Sequence, residues 1–188
     1  MERDIRRAVT AVRWPPGGRR FTIYPEVGKK RGMGNGVVPI KLDFVKNLRN
    51  HGWEPERRHR SETPVDEEQV VRPGAFDAWL DLNRYRHQPF VVEWETGNVS
   101  SSHRALNKMA LGIFQGNLSG GALVVPSKRM ARFLTDRIGT FEELRAYFPL
   151  WRYHKPDSGY LFIVPVEHDA ESTRVPRIPK MTAGRALG

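Results

Sequence analysis

Phe90-Val91-Val92-Glu93-Trp94-Glu95-Thr96-Gly97-Asn98 is the stretch on which the reading of this chain turns. An apolar run of strand-forming residues ends in two carboxylates two positions apart, which a strand projects from one face. Like charges at the end of a buried run are costly unless a cation lies between them. The natural cation for carboxylate oxygens is a hard divalent ion such as Mg2+. Upstream, Phe76 to Tyr85 reads as a second strand, with Asp77 and Asp81 at even spacing and a turn near His87-Gln88-Pro89. A hairpin turning there sets Asp81 opposite Glu93 and brings Asp77 to the far end of the same face. The expectation is a cluster of three or four acids.

Downstream, Ser100-Ser101-Ser102 can cap a helix from His103 to about Gln115, with Leu106, Met109, Ala110 and Ile113 as its apolar stripe. Arg104 and Lys108 share one face of that helix, and His103 and Asn107 are similarly paired. Gly120-Gly121 leads into a short apolar strand, Ala122 to Val125. Helices are expected at Ile40 to Asn50, Arg129 to Asp136 and Phe141 to Phe148, and a buried strand at Tyr160 to Val166. Residues 54–73 read as loop. Phe148, Leu150, Trp151 and Tyr153 read as core in preference to an interface between subunits. Strands alternating with helices predict an α/β (α+β) fold, a central mixed β-sheet flanked by helices. One domain spans residues 1–188, with 1–36 a basic, loop-rich N-terminal arm within it and 170–188 an irregular tail.

The chain has 188 residues, with 31 Lys and Arg against 21 Asp and Glu, a net charge of +10. Residues 1–60 hold 15 of the cations and 6 of the acids, so most of the excess lies in the first third. Such a balance points to a polyanionic partner. The absence of cysteine excludes disulfides, thiolate zinc sites and cysteine catalysis. No apolar run approaches the roughly 20 residues of a membrane helix, and Met1 to Trp14 lacks the apolar core of a signal peptide. The expected compartment is therefore the cytoplasm, with no membrane association.

A basic surface around an acid cluster is a contradiction unless the cations hold a nucleic acid and the acids hold metal at the phosphate that is cut. Candidate DNA contacts are Lys29, Lys30, Arg31 and Asn35 in a glycine-rich loop, then Arg57, Arg58 and Arg60. Asn98, Ser101, Ser102, His103, Arg104, Asn107 and Lys108, around the helix behind the carboxylates, complete the set.

An Asp, a hairpin, Glu-x-Glu on the second strand and a helix behind it resemble the PD-(D/E)xK nuclease superfamily, in particular restriction endonucleases of the BamHI and BglII type. The longer run VVEWETGNVSSSHRALNKM, followed by GGALVVP, supplies strand, helix and strand in the family's order. The resemblance implies Mg2+-dependent, sequence-specific hydrolysis of double-stranded DNA, leaving 5′-phosphate ends, by a homodimer on a palindromic site. By position, Asp81 or Asp77 matches the first metal-binding Asp, and Asp81 is preferred. Glu93 matches the second acid, so Asp81 and Glu93 are the implied metal ligands. Glu95 stands where most members carry Lys, as it does in BamHI-like enzymes, and completes the catalytic set of Asp77, Asp81, Glu93 and Glu95. Lys108 is a candidate for the displaced cation. The competing readings are a basic DNA-binding module without catalysis and a repair or structure-specific nuclease of the same fold.

Overall fold

A computed structural model describes residues 1–28, 32–57, 75–134, 138–153 and 159–180. In chain order the elements are α1 (Glu2–Ala11), β1 (Thr22–Ile23), α2 (Val38–Arg49), β2 (Glu54–Arg57), β3 (Phe76–Leu80) and β4 (Phe90–Trp94). Then follow α3 (Val99–Phe114), β5 (Gly120–Pro126), α4 (Lys128–Ala131), α5 (Phe141–Arg145), α6 (Phe148–Tyr153), β6 (Tyr160–Val166) and β7 (Ala170–Glu171). Five strands form one sheet in the order β2-β3-β4-β5-β6. The β2–β3 and β3–β4 pairs are antiparallel, and β4–β5 and β5–β6 are parallel. This is the expected mixed sheet with helices on both faces. β1 and β7 make a separate parallel ribbon.

β5 is buried along its whole length, and β4 is apolar on both sides until Glu93, as central strands covered on both faces must be. Ala78, Phe90, Val92, Trp94, Ala122 and Val124 pack into one core with Ile5 and Ala8 of α1 and Ile40, Phe44 and Leu48 of α2. Val91, Leu123 and Val125 face the other way, onto Ala105, Leu106, Met109 and Ile113 of α3 and Leu144 of α5. Each of the larger side chains, the alanines apart, contributes about 1.5–3 kcal/mol by leaving water. Gly121 lets α3 settle on the sheet, because a Cβ there would lie 2.5 Å from Met109 Sδ. A parallel step from β4 to β5 needs a long crossover, and α3 is that crossover.

Several expectations are corrected. Residues 1–36 do not begin as loop, although most of the described residues from 12 to 36 are irregular around β1. They open with α1, and Ile5, Ala8, Val12, Trp14 and Phe21 are part of the core. The arginines that suggested loop, Arg3, Arg6 and Arg7, occupy the solvent face of an amphipathic helix. The helix expected from His103 starts four residues earlier at Val99, and its N-cap is Asn98, whose side chain accepts from Ser101 N at 3.0 Å. Residues 54–57, expected as loop, add the edge strand β2. The strand expected over Phe76 to Tyr85 stops at Leu80, and Asn83–Tyr85 form a 3-10 turn.

The stretch expected as one helix over Phe141 to Phe148 is broken into α5 and α6. On α6, Leu150 and Tyr153 are exposed, so the core reading does not hold for them. Within the expected tail, the described residues after β7 are irregular but docked on the domain: β7 pairs with β1, Ile178 is buried, and Pro176 O accepts from Trp14 Nε1 at 2.8 Å. Residues 181–188, and the 135–136 end of the helix expected from Arg129, lie outside the described residues.

Asn35 is also corrected. It is fully buried, not at a groove surface. Its amide donates to Tyr24 O at 2.8 Å and Phe133 O at 2.9 Å, and its Oδ1 accepts from Ile178 N at 3.1 Å. It pins three distant segments together with every side-chain polar atom satisfied.

Candidate active site

The β3–β4 register decides which acids meet. Ala78 pairs with Val92 and Leu80 with Phe90, so one step further sets Asp77 across from Glu93. The expected Asp81–Glu93 pairing is therefore corrected by four residues, because the hairpin is centred on residue 85 and not on 87. Asp81 lies past the end of β3 at the opposite end of the hairpin, exposed, with Oδ1 accepting from Asn83 N at 2.8 Å. That is a local Asx turn. Among the described residues no three His, Asp or Glu side chains are grouped to share an ion, so the expected cluster of three or four acids reduces to a pair.

Both members of the pair are tightly held. Asp77 is buried; its Oδ2 accepts from Trp94 N at 2.8 Å, and Lys41 Nζ of α2 lies 2.6 Å from its Oδ1. Glu93 Oε1 accepts a short hydrogen bond from Lys108 Nζ of α3. That ammonium also donates to Ala75 O at 3.2 Å and sits 4.0 Å above the centre of the Phe76 ring. Each carboxylate thus has its own lysine, and the two lysines reach in from different helices. Burial, and then the charge of Asp77, push the Glu93 carboxyl up to about 7, against the opposing pull of Lys108 and Lys41.

Glu95 follows the last residue of β4, and its Oε1 accepts from Gly97 N at 2.6 Å. This bond turns the side chain into the bend that joins β4 to α3. Glu95 and Glu93 therefore leave the strand end in different company, one with a backbone amide and one with an ammonium.

The remaining candidates separate by position. Asn98, Arg104 and Asn107 are exposed on α3 and its cap, with Ser101 half-buried behind Asn98. Ser102 is fully buried, and a Cβ on Gly139 would stand 3.0 Å from its Oγ, so it faces the protein and not a ligand. His103 packs edge-on against Tyr147, 4.6 Å between ring centres, and lies 5.7 Å from Trp151. Its ring belongs to the α3–α6 contact. Arg57 is in β2, while Lys29, Lys30, Arg31, Arg58 and Arg60 lie outside the described residues. The sequence reading missed Lys41. Its position in the first turn of α2 carries no local signal, since Asp77 is brought to it only by the packing of α2 against the sheet.

Comparison with known proteins identifies the family to which the chain belongs. The family model described as restriction endonuclease BamHI matches residues 1–185. The type II restriction enzyme OkrAI of Oceanobacter kriegii is 43% identical over 184 residues, covering 98% of this chain and 88% of the relative. The type II restriction enzyme BamHI of Bacillus amyloliquefaciens is 31% identical over 186 residues, covering 96% and 80%. Among solved structures, restriction endonuclease BglII complexed with a DNA 16-mer superposes with a TM-score of 0.58 at 10% identity. It covers 94% of this chain and 80% of the other, a likeness of fold. The chain belongs to the BamHI family of type II restriction endonucleases.

Proposed function

We propose that this protein is a Mg2+-dependent, sequence-specific endonuclease of double-stranded DNA, that Asp77 and Glu93 hold the ion, and that it acts as a homodimer in the cytoplasm. The observation that carries the reading is the Asp77–Glu93 pair. Two acids confronted on adjacent strands, one buried and one nearly so, are a poor lining for a plain DNA groove. They do suit a hard divalent ion, which takes one or two protein carboxylates and fills its remaining positions with water and substrate phosphate. Such an ion, when bound, stabilises the charge that develops on phosphate during hydrolysis. Asp77 takes the place of Asp81 as the first acid of the motif.

In this reading the chain's own groups divide the remaining work. Trp94 N and Lys41 fix the Asp77 carboxylate, and Lys108 fixes Glu93. Glu95, anchored at Gly97 N, accepts the proton of the attacking water. In-line attack on phosphorus expels the 3′ oxygen and leaves a 5′-phosphate. Asn98, Ser101, Arg104 and Asn107 extend from the carboxylates along one end of α3, within reach of phosphates and base edges. Cutting both strands at one place is met by two-fold symmetry. The surface proposed for the second copy is α6, where Leu150 and Tyr153 are exposed. Sedimentation is expected to give twice the 21.6 kDa chain mass, falling to one chain with Leu150→Arg.

The direct test is digestion of several unmethylated plasmids with purified protein. Discrete fragments in Mg2+, and intact plasmid in EDTA, are expected. Retained fragments in EDTA would remove the metal from the reading. Intact plasmid throughout would favour a binding module, and cutting confined to branched or damaged DNA a repair nuclease.

A further inference from the structure

We infer that Lys41 is a stand-in cation: it holds Asp77 in place while no metal is bound and gives up that carboxylate oxygen to the divalent ion when one arrives. The inference rests on the reading of Asp77 and Glu93 as metal ligands and goes beyond it to a positioning residue on a separate helix. Asp77 has one carboxylate oxygen committed to backbone, by accepting from Trp94 N. The other, Oδ1, faces the Lys41 ammonium at 2.6 Å. Only that second oxygen is held by a group able to leave without breaking the fold. The Lys41 side chain is 35% exposed, so its long stem can swing the charge back into water, whereas the Asp77 side chain is only 11% exposed and stays where β3 puts it.

Lys108 is differently placed. It is 17% exposed, and it is fastened to Ala75 O and the face of Phe76 as well as to Glu93. Withdrawing it would strand a nearly buried ammonium, so it remains as a fixed partner of Glu93. The two lysines therefore have unequal tasks: Lys108 anchors and Lys41 exchanges. Without Lys41, Asp77 and Glu93 would confront each other with one ammonium between two carboxylates. The fold without metal would carry their repulsion, and an incoming cation would find a more negative site. A unit charge a few Å from a divalent ion in a site open to solvent changes its affinity on the order of tenfold.

The experiment uses Lys41→Gln and Lys41→Arg beside the wild-type chain, without DNA. Mg2+ affinity is measured by calorimetry, and melting temperature in EDTA and in saturating Mg2+. Lys41→Gln is expected to melt lower in EDTA, to bind Mg2+ about tenfold more tightly, and to recover wild-type melting once loaded. Lys41→Arg keeps the charge and is expected to track the wild type in both. A Lys41→Gln protein that folds only in Mg2+ would support the exchange. Unchanged or weaker Mg2+ binding by Lys41→Gln would overturn it, leaving Lys41 an ordinary surface partner. Asp77→Asn separates the two levels. If it binds Mg2+ as the wild type does, the carboxylate pair is not the metal site and the functional reading fails first.

Discussion

Asp77→Asn and Glu93→Gln each reduce single-turnover DNA cleavage on the order of 10³-fold or more, while Asp81→Asn leaves it within about twofold of wild type. The amide replacements are chosen to keep shape. Asn at position 77 still offers an oxygen to Trp94 N, and Gln at position 93 still accepts from Lys108, so the hairpin and α3 stay in register. What is lost is the negative charge that holds the ion. Asp81 has no such task in this geometry, since its carboxylate only closes a turn onto Asn83. DNA binding, measured by gel shift without metal, is expected to be unchanged or tighter in the first two variants. They remove a charge that repels phosphate and touch none of the exposed contacts on α3. Full activity in Asp77→Asn together with loss in Asp81→Asn would return the motif to the other aspartate. Loss of binding in step with cleavage would show that the pair supports the fold and not the chemistry.

The Asp77 and Asp81 question shows how far the sequence reaches. Strand, Glu-x-Glu pair and helix were legible in VVEWETGNVSSSHRALNKM, and the following strand in GGALVVP, because each rests on a local period or a turn residue. Choosing between the two aspartates required the hairpin's centre. A shift of two residues in that centre slides the register by four and exchanges one acid for the other. Both registers place an Asp opposite Glu93 on the same face, so alternation alone does not separate them. The fold decides: β3 ends at Leu80, paired with Phe90, and the chain turns through Asn83–Tyr85, which leaves Asp81 outside the ladder.

Other features were hidden by composition or by distance along the chain. α1 is half charged and was masked by its arginines, although Ile5, Ala8, Val9 and Val12 are at helical spacing. Asn35 sits among glycines and lysines as a DNA-contacting residue would. Only the arrival of Ile178, 143 positions away, makes it an internal clasp. The same holds for Lys41 and Asp77: an ion pair between a helix and a strand 36 residues later has no signature in either segment. Buried polar groups of this kind depend on the finished fold, whereas periodic apolar patterns help to form it.

Glu93→Gln also has an expected effect on stability, and its sign follows from the site's electrostatics. Burial and the charge of Asp77 raise the Glu93 carboxyl to about 7 in the folded protein, from an ordinary 4.5. The folded state therefore keeps a proton that the unfolded chain releases, over the interval from pH 4.5 to 7. Stability supplied by the protonated acid is complete below 4.5 and is lost as pH rises through 7. The full difference corresponds to about 3 kcal/mol. Glutamine has the shape and neutrality of the protonated acid at every pH. In EDTA, Glu93→Gln should thus match the wild type near pH 4.5 and exceed it by up to about 3 kcal/mol at pH 8, measured by urea denaturation. Contributions from carboxylates remote from the pair cancel in that difference. Saturating Mg2+ should erase the advantage, since the ion stabilises the wild-type carboxylate and has less to bind in the variant. Parallel stability curves at pH 4.5 and 8 would mean that Lys108 and Lys41 already neutralise the pair. A variant that gains stability while losing cleavage would instead identify Glu93 as a residue kept at the expense of the fold, for what it does to the metal and the phosphate.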